Sequence, residues 1–121
     1  MTIDLSTLLK IVIALGIFNV WLLRFKRDSR WRGGKSKNMI EEFDQYGLPK
    51  WSVGIIGFLK VSLAFFLILS IWFPALETSV LTAIGILMIG AIGMHIKIGD
   101  AYSKSIPAFL LLSLTLAVYL L

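Results

Sequence analysis

Four long apolar runs dominate this chain and leave it few ways to fold. The first covers Leu5 to Phe25 and is broken by Lys10, Asn19 and Arg24. The second runs from Trp51 to about Phe73 with Lys60 as its one charge. The third covers Thr78 to Met94 without a charge and continues through His95 to Ile98, and the last runs uncharged from Ser105 to Leu121. Crossing ~30 Å of hydrocarbon takes roughly 17–25 helical residues. The pattern predicts an all-α, integral membrane four-helix bundle with helices at about 5–25, 51–73, 78–98 and 105–121, forming a single domain over residues 1–121.

Composition agrees. Of 121 residues, 58% are hydrophobic and 16% charged, against about half and about a quarter in soluble domains. No basic stretch precedes Leu5, and Trp21, Arg24, Lys26 and Arg27 follow the run as a stop-transfer flank, so the first run is expected to stay as a helix. Cysteine is absent, which excludes disulfide scaffolds, thiol catalysis, Cys-ligated zinc and iron–sulfur clusters. One histidine cannot build a His-rich metal site or bis-His haem within the chain. No metal site or intrinsic cofactor is expected, and no GxSxG, Walker A, GxGxxG or HExxH motif is present. A chain of this kind is not expected to be an enzyme on its own.

The charges orient the bundle. Arg24, Lys26, Arg27, Arg30, Arg32, Lys35, Lys37 and Lys50 fall in the first loop, and Lys97 and Lys104 in the third, against Lys10 alone on the other side. The positive-inside rule places both basic loops in the cytoplasm and both termini outside. The net charge of +5 therefore points to anionic lipid headgroups as partners and not to nucleic acid. Trp21, Trp51 and Trp72 fall where an aromatic belt would lie.

Within the first loop, the stretch from Arg24 to Lys37, with Gly33-Gly34, reads as an extended, flexible lead-in. Asn38 followed by Glu41 resembles a capping box and opens a short amphipathic helix at about 38–46. Met39, Ile40, Phe43 and Tyr46 share one face, with Glu41, Glu42, Asp44 and Gln45 pointing elsewhere. Such a helix either rests on the membrane surface or tucks under the bundle and offers it carboxylates.

Polar residues inside the spans are the candidate site. Lys60 lies near mid-span, where a charge costs at least ~2.5–3.5 kcal/mol. Gly57 and Ala64 flank it on its helical face, so it is expected to face a pocket between the second and third membrane helices. All seven acids lie at or beyond the span ends, which makes Glu41 and Glu42 its candidate counter-ions. His95 would edge the same pocket, with Asp100 near the mouth and in reach of Lys104, while Asn19 would bond between helices. A ligand or proton role and a purely structural one both fit Lys60. Gly85, Gly90 and Gly93 read as sites of close helix packing.

The runs Asn19-Val-Trp-Leu-Leu-Arg-Phe, Arg32-Gly-Gly-Lys-Ser-Lys-Asn-Met-Ile-Glu-Glu-Phe and Tyr46-Gly-Leu-Pro-Lys-Trp resemble the DoxX-like membrane proteins. So do Gly57-Phe-Leu-Lys60, the stretch from Gly90 to Asp100, and Ser105-Ile-Pro-Ala-Phe. The resemblance implies a compact four-helix membrane bundle, and for bacterial members an inner-membrane location. It implies an accessory or quinone-associated subunit of a membrane redox complex. Without cysteine such a subunit has no redox centre of its own and would depend on a partner or a bound quinone. The alternatives are a non-catalytic scaffold or assembly factor acting on a client membrane protein, and, ranked lower, a small-molecule or proton carrier working as a homo-oligomer.

Overall fold

The computed structural model describes residues 4–27 and 31–121. Helix α1 (Leu5–Phe18) starts where the Asp4 carboxylate accepts the Thr7 N–H at 2.8 Å, and it widens into a π-helical turn over Asn19–Leu23. Helix α2 (Met39–Gln45) is the short loop helix, and α3 (Trp51–Leu69), α4 (Glu77–Lys97) and α5 (Ile106–Leu120) complete the bundle. Among the described residues there is no strand. Four helices are long and apolar enough to cross a membrane. Helices satisfy their own backbone polar groups, which is what hydrocarbon demands.

The spans end slightly earlier than the apolar runs. The second stops at Leu69 instead of Phe73, because Pro74 follows and holds Phe73 out of the helical region, at φ −123° and ψ 76°. The third starts on Glu77 after the 3-10 turn Pro74–Leu76, and the fourth on Ile106 after the turn Tyr102–Ser105.

The membrane helices pack as a ring, α1 against α3 and α5, and α4 against α3 and α5. Ile13 and Ile17 of α1, Ala64 and Leu67 of α3, Leu81, Ile84 and Met88 of α4 and Val118 of α5 fill its centre. Gly16 lets Leu111 of α5 approach α1: a Cβ there would stand 3.1 Å from it. Gly90 and Gly93 do not pack as expected, since open space surrounds both. Phe58, Ile86, Ile89 and Phe109 are exposed, as fits a bundle solvated by lipid.

Trp51 and Trp72 are exposed as belt residues, but Trp21 is buried. The π-helical turn carries it against Phe43 of α2, edge to face at 5.9 Å, and against Gly57 of α3. At the end of the bundle away from the basic loops, Lys10 is buried and pairs with Glu77 at 2.7 Å.

Candidate functional site at the basic end of the bundle

The lead-in to α2 is not extended where it is described. Gly34 takes φ +56°, a left-handed turn open to glycine at little cost. Arg32 is buried and organises the strap. Its guanidinium donates to the carbonyls of Arg24, Phe25 and Arg27, which close the exit of α1, and to Glu42 Oε2 at 2.9 Å. Asn38 caps α2 by accepting the Glu41 N–H at 2.9 Å, as the sequence motif predicts.

Glu42 corrects the expected face of α2. It is buried beside Met39, Phe43 and Tyr46, while Ile40 is exposed. The reversal has an electrostatic cause: Arg32 neutralises the carboxylate, and Gly33 N–H and the Tyr46 hydroxyl donate to its Oε1 at 3.2 and 2.6 Å. Gly33 fits only because it lacks a side chain, since a Cβ would sit 2.7 Å from the Tyr46 ring.

From Glu42 the polar contacts continue into α4. Tyr46 Oη lies 3.3 Å from His95 Nε2, and the rings meet edge to face. His95 Nδ1 lies 2.7 Å from Asp100 Oδ2. Asp100 in turn accepts the Gly34 N–H at 3.0 Å and has Lys104 at 3.8 Å, while Lys104 donates to the Gly34 carbonyl. Lys97 donates to the Tyr46 carbonyl at 3.0 Å. Strap, α2, α4 and the loop before α5 are thus tied together by one buried hub.

Two groups in the hub are shifted by their surroundings. Burial, followed by the Glu42 charge, pushes the Tyr46 phenol far above its usual range and keeps it neutral. Burial also works against the charge of Asp100. The His95 ring, the Gly34 N–H and Lys104 outweigh that cost and hold the carboxyl below its ordinary value.

The predicted site residues therefore fall in three places. Glu42, His95 and Asp100 meet in the hub. Lys60 does not share a pocket with His95 between α3 and α4. Its Nζ instead lies over the Trp21 ring, 5.3 Å from the centroid, a cation–π distance. The cause is the π-helical turn, which swings Trp21 across Gly57 and under the ammonium. Glu41 is exposed and bonded to Asn38, and Asn19 is exposed at the lipid face, so neither joins the hub. Among the described residues no group of acids and histidine could hold a metal.

Arg32, Tyr46 and Trp21 are the residues that sequence reasoning did not assign to the site. Arg32 is one cation among many in the first loop, Tyr46 falls on the apolar face of α2, and Trp21 reads as an aromatic-belt residue. The available signal was the pairing of a basic Gly-Gly strap with an acidic helix, since a carboxylate on a docking helix needs a cation nearby.

Beside the hub, on the outer side of α3, lies a groove of about 590 Å³, within the usual size of small-molecule sites. Trp21, Phe25, Phe58, Gly54, Gly57 and Lys50 are among the residues that line it. Apart from Lys50 and Ser62 the lining residues are apolar or glycine.

A model of the DoxX-like family matches residues 17–118. The chain belongs to the DoxX-like family. The match takes in the Trp21 turn, the strap, α2, the hub and the three remaining membrane helices, and with the four apolar spans it makes the protein a multi-pass membrane protein of that family. Among curated proteins and among solved structures, nothing matches the chain.

Proposed function

We propose that this DoxX-like protein is an accessory, quinone-associated subunit of a membrane redox complex and carries no redox centre of its own. The groove between Trp21 and α3 carries the reading. A largely apolar groove lined by aromatic rings, glycines and one ammonium suits an amphiphile with a long apolar tail and a carbonyl acceptor, which describes a quinone. Trp21, Phe25 and Phe58 would bind its ring and tail, and Lys50 would donate to a carbonyl. A bound quinone supplies two-electron chemistry that this chain, without cysteine, lacks. The electrons then belong to a partner complex. The cation imbalance supports an orientation with the basic end in the cytoplasm of a bacterial inner membrane and both termini outside.

Purification in mild detergent followed by lipid extraction tests the proposal. Stoichiometric quinone together with a cofactor-bearing oxidase or dehydrogenase is the expected result. A client membrane protein without redox cofactors, and no quinone, would instead establish the scaffold or assembly reading.

A further inference from the structure

The hub supports a function of its own, independent of whether the groove is filled. Counting protons in it leads to a choice. Asp100 is a carboxylate, so the His95 Nδ1–H donates to it across 2.7 Å. The other ring nitrogen, Nε2, faces the Tyr46 hydroxyl at 3.3 Å. Tyr46 has one proton and two neighbours that can accept it, His95 Nε2 and, at 2.6 Å, Glu42 Oε1. With Tyr46 donating to Glu42, as it does here, a proton on Nε2 would complete the contact with the Tyr46 oxygen. If Tyr46 donates to His95, the ring is neutral, and Glu42 completes its own contact as a carboxylic acid.

We infer that Asp100, His95, Tyr46 and Glu42 form a proton-exchange site that carries a proton from the basic-end surface to Glu42. In the transfer the His95 Nε2–H bond breaks as a new Tyr46 O–H bond forms, and the original Tyr46 proton passes to Glu42 Oε1. The products are neutral imidazole, intact phenol and carboxylic acid. No electron moves, and Tyr46 never ionises, in keeping with its raised phenol. Asp100 orients the ring and offsets the imidazolium. Arg32 from the strap and Gly33 N–H hold Glu42, Lys104 lies beside Asp100, and Lys97 fixes the Tyr46 carbonyl.

A rapid pH drop followed by time-resolved infrared spectroscopy tests this on the full chain in phospholipid nanodiscs. His95 is the one histidine, so the imidazolium signal needs no assignment. The Glu42 acid band is identified by its loss in Glu42→Gln. The band should follow the imidazolium signal in the wild type. Tyr46→Phe should slow its rise by about 100-fold, since a positioned proton donor is worth about that much, and leave its final height intact. His95→Gln should slow it as well and decides the matter if Tyr46→Phe does not fold. A Glu42 band that rises at the wild-type rate in both variants would overturn the inference, because the proton would then arrive directly from water. So would the absence of any Glu42-dependent acid band across the pH range in which the helices persist.

Discussion

Arg32→Ala will destabilise the protein by about 3–5 kcal/mol, the usual consequence of leaving one partner of a buried ion pair alone. Glu42 would keep the Gly33 N–H and the Tyr46 hydroxyl but lose the cation that neutralises it. The carbonyls of Arg24, Phe25 and Arg27, just after the π-helical turn, would lose their donor at the same time. Lysine will not restore stability, because one ammonium cannot serve both the carbonyl cluster and the carboxylate as the forked guanidinium does. Arg32→Met combined with Glu42→Leu should recover much of the loss, since neither charge of the pair then remains buried. Denaturation of the three variants in one detergent measures these differences. A loss in Arg32→Ala under about 1 kcal/mol, the level of an exposed pair, would mean that the strap is not docked.

Two glycines three residues apart on α3 should respond in opposite directions. A Cβ at Gly57 would stand 2.8 Å from two carbons of the Trp21 ring. That ring cannot retreat freely, with Phe43 and Phe25 packed at 5.9 and 6.0 Å. Gly57→Ala is therefore expected to cost about 1–3 kcal/mol through overpacking, and more than offset the helix propensity alanine adds. Gly54 has nothing within 4 Å, so Gly54→Ala should stabilise by about 0.5–1 kcal/mol, the backbone term alone. Thermal unfolding of the pair checks the contrast. Equal shifts would show that Trp21 is not wedged on Gly57.

The membrane helices were legible in the sequence because hydrocarbon satisfies no backbone polar group: a long apolar run with few charges must bond its own backbone there, and the helix does so. The cap of α2 was legible for a similar local reason, Asn38 and Glu41 standing at the required spacing. The site was legible only in part. His95 and Asp100 lie five residues apart across the end of α4 and could be grouped from spacing alone. Glu42 faces inward only because Arg32, ten residues earlier, folds back onto it, and a helical wheel cannot see a partner off the helix. Lys60 was expected to face a pocket between α3 and α4, and its ammonium lies over the Trp21 ring. Its real partner, Trp21, reaches it through a π-helical turn, and the sequence of that turn, Asn19 to Leu23, does not distinguish it from ordinary helix.

The claim that the groove holds a quinone is open to direct measurement. With Trp31, Trp51 and Trp72 replaced by phenylalanine, Trp21 is the one remaining indole, and it lines the groove. Titrating a long-tailed quinone into nanodiscs holding this chain should quench Trp21 saturably. Gly54→Leu adds bulk to the groove lining where space is open, and should weaken that binding by about tenfold or more, ~1.4 kcal/mol, without loss of helix content. Quenching that never saturates, or that is the same in Gly54→Leu, would be partitioning into lipid and would contradict a quinone site in the groove.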